Sequence, residues 1–255
     1  MKTKQDSFFS SGLGLAFLAG IGLMVANISP TIVTAYVQNP IFSTRDAGNI
    51  ISINMLGNAL GALITSFYLQ RFNWFRATVF LLSILIVLDL FSISVTHPFL
   101  LFLVRFIYGM TAGALMGIAY AAIAQTSGPE RIQALSYTMQ LLSGGILIQL
   151  ITPQIESAGV IVVWLPLVVF SVIGLLLSPL LRKRTLAIDS FVVTNNQSRA
   201  NNLIIGLGLS SLFAFQMGQF AAFAYVIELG TNHNFNIGFT GTSVAMGLWI
   251  GGPAA

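Results

Sequence analysis

The stretch FRATVFLLSILIVLDLFSISVTHPFLLFLVRFIYGMTAGALMGIAYAAIA, residues 75–124, decides the fold. It is two apolar runs, Phe75 to Val95 and Phe99 to Ala124, on either side of a turn at His97 and Pro98. A hydrocarbon core about 30 Å thick needs roughly 20 apolar residues as helix, and each run has that length. In lipid the backbone has no water to bond to, so a run of this kind satisfies its own amides as a helix. The short turn makes the two runs an antiparallel hairpin. Asp89 lies eight positions before His97, and Arg105 lies eight positions after it. At about 1.5 Å per helical residue both sit roughly 12 Å in from the turn, at matching depth, where they can pair. Ionised groups are expensive inside a membrane and mark a functional site unless a partner or the interface relieves them. Two readings stay open: a charge relay or gate, and a structural ion pair that fixes the hairpin.

The same pattern extends outward along the whole chain. Hydrophobic residues make up 56% of the 255 and charged ones 7%, against about 25% charged in a soluble domain, too few to build a wetted surface. Mean hydropathy is +0.87. Eight apolar runs emerge: Ser11 to Val37, Ala47 to Leu69, Phe75 to Val95, Phe99 to Ala124, Ile132 to Ile151, Gly159 to Leu181, Leu203 to Ile227 and Ile237 to Ala255. The expected fold class is therefore all-α, a polytopic transmembrane helical bundle of about eight helices. The first run is too long, and followed by too many others, to be a cleaved leader.

The net charge of +4 would suit a nucleic-acid partner in a polar protein. Here the basic residues serve topology, and no nucleic acid is expected. Lys2, Lys4, Arg71, Arg76, Arg131, Arg182, Lys183, Arg184 and Arg199 fall on one side if the helices alternate, and only Arg45 falls in a loop on the other. Positive loops resist translocation, so the N-terminus and the even-to-odd loops are expected in the cytoplasm of a multi-pass protein of the plasma membrane, such as a bacterial inner membrane. Residues 182–202 open with Arg182-Lys183-Arg184 and continue through a polar stretch to Arg199, which reads as a cytoplasmic linker. It divides an N-terminal six-helix bundle, 1–181, from the first two helices of a second group, 203–255. The chain ends at Gly251-Gly252-Pro253-Ala254-Ala255 without a basic stop, and it reads as cut short of a full second bundle. The first six helices are expected to pack as a self-contained unit, and the last two to be held loosely.

Polar residues recur on single helix faces. Arg105, Gly109, Gly113 and Gly117 form one stripe that drifts only about 40° per step at 100° per residue. Side-chain-free positions let a neighbouring helix approach closely, so this stripe reads as packing headed by an arginine. Asn54, Asn58, Gly61 and Thr65 share a face of the second run. Asn27, Thr31 and Thr34 share one on the first, with Pro30 to kink it. Gln133, Tyr137, Gln140 and Gly144 come together on the fifth run, and Gln216 and Gln219 on the seventh. Amides in lipid need partners, so these faces are expected to point into the bundle or a watery cavity. Asn27, Asn54, Asn58, Arg105, Tyr137, Gln140, Gln216 and Gln219 are the candidates for a solute cavity. Interhelical hydrogen bonding is the alternative role for the amides.

No enzyme motif competes. The chain has no cysteine, hence no thiolate nucleophile or cysteine metal site. The two histidines lie far apart, in loops. G-x-S-x-G, H-E-x-x-H and acidic calcium loops are missing, and Gly144-Gly145 lacks the Lys and Ser/Thr of a phosphate loop. No catalytic residue, metal or cofactor is expected.

The chain resembles the major facilitator superfamily, whose members join two six-helix bundles through a basic cytoplasmic loop. RFIYGMTAG, Arg105 to Gly113, is similar to the family's fourth-helix motif, and GPERIQALSYTMQ, Gly128 to Gln140, to its turn into the fifth helix. The family's signature loop G-x-x-x-D-R-x-G-R-[RK] falls in register at Ser66 to Phe75. There Arg71 is retained, Arg76 is a displaced basic residue and the aspartate has no counterpart. SGGILIQLITP, Ser143 to Pro153, loosely echoes the glycine-proline antiporter motif, and FQMGQFAAFAY, Phe215 to Tyr225, resembles drug and sugar exporters. The resemblance implies a secondary transporter of a small organic solute, driven by protons or by the solute's own gradient and suited to efflux. It also implies a site between two halves, Arg105 on the cavity wall, and Arg71 and Arg76 on a conformational loop. The rival expectation is a non-transporting membrane protein, such as a sensor or assembly partner, or an inactive shortened transporter.

Overall fold

A computed structural model describes residues 2–71, 73–126, 128–181 and 202–254. The only regular secondary structure among the described residues is helix, with no strand among them. In chain order the helices are α1 (Lys2–Ile21), α2 (Met24–Asn27), α3 (Ser29–Val37), α4 (Thr44–Tyr68), α5 (Trp74–Ser94), α6 (Pro98–Ala124), α7 (Pro129–Ile151), α8 (Ile155–Ala158), α9 (Ile161–Leu177), α10 (Asn202–Ala224), α11 (Val226–Asn232) and α12 (Ile237–Ala254). Among the described residues five helices are long and apolar enough to cross a membrane: Thr44–Tyr68, Trp74–Ser94, Pro98–Ala124, Pro129–Ala158 and Ile161–Leu181. The linker expected over 182–202 lies, up to residue 201, outside the described residues.

The helix boundaries follow local chemistry. At the start of α4, Ser43 and Asp46 form a reciprocal capping box: Asp46 N donates to Ser43 Oγ at 3.1 Å and Ser43 N to Asp46 Oδ2 at 3.0 Å, which satisfies amides that have no partner inside the helix. Asn73 caps α5 by accepting from Arg76 N at 3.0 Å. Pro98 and Pro129 open α6 and α7, where a missing N–H costs nothing.

Two expected single runs are interrupted and a third is extended. The run Ser11 to Val37 is three helices, broken at Gly22-Leu23 and at Ile28. Pro30 has no N–H to return to Ala26, so the regular ladder cannot continue there; the Ala26 carbonyl accepts from a backbone N–H at the end of α2 instead, and the Ile28 carbonyl starts α3 by accepting from Thr31 N at 3.0 Å and Thr31 Oγ1 at 2.7 Å. The run Leu203 to Ile227 breaks at Tyr225 into α10 and α11. The fifth run continues past Ile151, through a 3-10 turn at Thr152–Gln154 containing Pro153, into α8. Gly159, at φ +61°, then reverses the chain, a backbone state that favours glycine.

The core sits around α1 and α6. The buried side of α6 carries Leu101, Val104, Arg105, Tyr108, Ala112, Leu115, Ala119 and Ala122, while α5 turns Phe80, Val87, Leu90 and Phe91 outward. With hydrocarbon as the solvent, apolar residues need not be inside, and the inner face is chosen by small and polar side chains. At the α4–α6 seam the two helices meet main chain to main chain. A Cβ on Gly57 would strike the carbonyl oxygen of Phe106, one on Gly61 that of Met110, one on Gly109 that of Asn54, and one on Gly113 that of Asn58. The stripe on α6 therefore meshes with a second glycine pair on α4.

The last helices are held unequally. α12 is seated on α7: Thr138 Oγ1 donates to the Gly252 carbonyl at 3.0 Å and Trp249 Nε1 to that of Leu142 at 3.3 Å. This differs from the expected loose hold, because Gly145 on α7 leaves room for the Trp249 ring. By contrast, the described side chains of α10 before Phe223 are exposed. At its end the Tyr225 hydroxyl donates to the Thr44 carbonyl at 3.1 Å.

Candidate functional site

The hairpin of α5 and α6 brings Asp89 and Arg105 together. Arg105 Nη1 lies 3.0 Å from Asp89 Oδ1, and both side chains are 0% exposed. Arg105 Nη2 donates to the Leu88 carbonyl at 3.3 Å and to Ser92 Oγ. Ser92 stands three residues after Asp89, on the same face of α5, so one side of one helix supplies all three acceptors.

Aromatic rings enclose the remainder of the guanidinium. Its carbon lies 3.7 Å from the ring of Trp164 on α9 and 4.7 Å from that of Tyr108 on α6. A cation over an aromatic face gains more as water is removed, up to about 2 kcal/mol or more. Trp164 is anchored in turn, with Nε1 donating to the Tyr36 hydroxyl on α3 at 3.0 Å. Phe42, from the loop between α3 and α4, meets Tyr36 edge-on at 4.7 Å between ring centroids. A continuous column thus runs from Phe42 through Tyr36 and Trp164 to Arg105 and Asp89. Asp89 Oδ2 and Arg105 Nε fall outside the direct hydrogen bonds of the pair, and the Tyr108 hydroxyl faces the Asp89 carboxyl.

The amides divide into committed and uncommitted groups. Asn54 Nδ2 donates to the Arg105 carbonyl at 3.1 Å. Asn58 Nδ2 donates to the Gly22 carbonyl at 2.7 Å, a group freed by the break between α1 and α2. Both are buried in the α4–α6 seam, and their donors are spent on backbone. Asn27 ends α2 at the next break, before Ile28, and packs against Gly144 of α7. Its Nδ2 has no partner among the described residues, and neither do the nearby hydroxyls of Ser29 and Thr34.

Gln140 lines a cavity of about 240 Å3 together with Phe17, Gly20, Met24, Ser143 and Phe170. Its Nε2 donates to Ser136 Oγ at 3.1 Å. Phe17 and Phe170 stack at 5.4 Å. Tyr137, one turn before Gln140, is 45% exposed and turns away from that cavity. Gln219 is exposed on α10. Gln216 belongs to the backbone of α10, and its side chain lies outside the described set. Arg71 and Arg76 are both exposed at the α4–α5 turn, with Arg71 5.6 Å from the centre of the Tyr68 ring. They sit at the opposite end of α5 from Asp89 and do not join the buried pair. Among the described residues no group of histidines, cysteines and carboxylates could hold a metal.

The reading of the sequence missed Tyr36, Ser92, Tyr108 and Trp164. Ser92 and Tyr108 carried a signal, each three residues beyond a charged residue and so on its face. Trp164 and Tyr36 carried none, since Trp164 meets Tyr36 across 128 positions of the chain and Arg105 across 59. No family model, curated protein or solved structure matches this chain.

Proposed function

We propose that this protein is a secondary active transporter of a small organic solute, proton-coupled and suited to efflux. In this reading it is a multi-pass member of the major facilitator superfamily, in a plasma membrane such as a bacterial inner membrane, with a cytoplasmic N-terminus. The observation that carries the reading is the fully buried Asp89–Arg105 pair between two helices apolar enough to span a bilayer. Such a pair is costly to place there, and a carboxylate facing an arginine is a group whose charge a proton can cancel. The broken first span supports the same reading, since unwound helices with uncommitted polar groups line the sites of many transporters. Asn27, beside Gly144, and Gln140, in its cavity, are the residues this reading places nearest the solute. Their amides, together with Phe17 and Phe170 on the wall of the Gln140 cavity, favour neutral or weakly charged amphipathic solutes.

Proteoliposomes carrying a proton gradient test the proposal against a panel of such solutes. Solute-dependent collapse of the gradient is expected with the wild type, and little with an Asp89→Asn/Arg105→Gln double variant that still inserts. A panel in which no solute moves protons or itself across the bilayer would sink the transport reading. Orientation is tested separately in this cysteine-free chain: single cysteines at Ser190 and at Asn232 are expected to label from opposite sides of the membrane.

One observation favours a second reading, a non-transporting membrane protein. Asn54 and Asn58 spend their donors on backbone carbonyls, so a polar face that a transporter would turn to solute here holds helices together. The same flux measurement separates the two readings.

A further inference from the structure

The Asp89–Arg105 pair leaves open what holds the guanidinium when the carboxylate is neutral. An arginine keeps its charge under all ordinary conditions, so protonation of Asp89 would strand a cation in the bundle. The groups that would remain are the acceptors Ser92 Oγ and Leu88 O and two aromatic faces. Of the two rings, Trp164 is the closer, at 3.7 Å against 4.7 Å. It comes from α9, outside the α5–α6 hairpin. It is fully buried, and the Tyr36 hydroxyl fixes its rotation by accepting from Nε1 at 3.0 Å. A ring oriented in this way presents its face rather than its edge, which is the geometry that attracts a cation.

We infer that Trp164, fixed by Tyr36, is the positioning residue of Arg105: it holds the guanidinium in place in both charge states of the pair and links that state to the outer end of α3. The titratable groups around the guanidinium are Asp89 from α5, Tyr108 from α6 and Tyr36 from α3. Trp164, from α9, is the non-titrating member that touches Arg105 and Tyr36 at once. Because Phe42 packs on Tyr36, a shift of Trp164 reaches the loop between α3 and α4 through two contacts. The inference rests on the proposed coupling role only for its effect on transport; the placement of Trp164 on Arg105 stands without it.

Two measurements test it. In full-length protein labelled with fluorotryptophan, the three tryptophans give three fluorine NMR signals, and the Trp164 signal is assigned by its loss in Trp164→Phe. On titrating pH, the Trp164 signal is expected to move and those of Trp74 and Trp249 to stay. The movement is expected to vanish in Asp89→Asn. A Trp164 signal that ignores pH, or one that still titrates in Asp89→Asn, would overturn the inference.

The second measurement is the pH midpoint of proton-driven flux. Without the ring, the state with neutral Asp89 loses more support than the paired state, so protonation becomes harder. Trp164→Leu is therefore expected to move the midpoint to lower pH, by roughly one unit for a desolvated cation–aromatic contact. Trp164→Phe, which keeps a ring face, is expected to move it less. Equal midpoints in wild type and Trp164→Leu would overturn the positioning role. Titration of Trp164 in a protein that shows no flux at any pH would remove the transport reading and leave the placement of Arg105 by Trp164 intact.

Discussion

Helix α6 is held on two faces by two different kinds of seam. Toward α4 it offers Gly109 and Gly113, which meet backbone carbonyls directly, while Gly57 and Gly61 do the same from the other side. Toward α5 it offers one charge to one countercharge. The first seam is a matter of shape: each glycine acts almost independently, and an error is steric. The second is a matter of electrostatics, in which neither partner is tolerable alone. Lipid does not drive helices together as water does, so both seams rest on interactions that the bilayer cannot replace.

The charge seam is expected to show the largest effects. Asp89→Asn or Arg105→Gln leaves an uncompensated buried group and is expected to lower stability by about 3 to 5 kcal/mol. The double variant is expected to lose less than either single change, as read by unfolding in mixed micelles and by abundance in the membrane. Additive losses would erase the contrast between the seams, because independent sites add and coupled ones do not.

The shape seam is expected to come next. Gly109→Ala or Gly113→Ala places a methyl against main chain that cannot turn aside, at about 1 to 3 kcal/mol each. Here the pair is expected to act nearly additively until the helices separate. Gly145→Ala on α7 sharpens the point, since its Cβ would meet the Trp249 side chain as well as the Ala245 carbonyl at 3.0 Å. A ring can shift where a backbone cannot, so a smaller loss is expected. A loss equal to that of Gly109→Ala would show that backbone contact is not what makes the α4–α6 seam intolerant.

Smaller still is Asn58→Ala, which removes the bond to the Gly22 carbonyl at 2.7 Å. About 1 kcal/mol is expected, the usual scale for a bond between membrane helices. Slower opening at the α1–α2 break than in the wild type, measured by hydrogen exchange of nearby amides, would contradict it. The smallest effect is expected from Trp249→Phe, which loses only a long bond to Leu142 at 3.3 Å, roughly 0.5 kcal/mol. A larger loss would make the α7–α12 seam a hydrogen-bonded one rather than one of packing.

What was legible in the chain follows from locality. Run length alone marked the spans from Thr44 to Leu181, because each helix must satisfy its own backbone within lipid. The depth of Asp89 and Arg105 could be counted from His97, since a tight hairpin sets both helices to one origin. The glycine stripe on α6 was visible as a face for the same reason. The breaks at Gly22-Leu23 and Tyr225 were less visible, because an apolar sequence reads the same whether its helix is continuous or interrupted. Only the break at Ile28 was announced, by Pro30.

Helical periodicity gives the direction in which a side chain leaves its helix, and nothing about what waits there. Asn27, Asn58 and Gln140 therefore looked alike as amides on inward faces. Only the assembled bundle separated them: Asn58 meets a carbonyl that a helix break had freed, Gln140 borders a cavity, and Asn27 Nδ2 meets no acceptor among the described residues. Trp164 was silent for the same reason. Its apolar run would span a membrane with any large residue there, and its contacts with Arg105 and Tyr36 arise because α9 packs beside the α5–α6 hairpin, at a distance that no local pattern encodes.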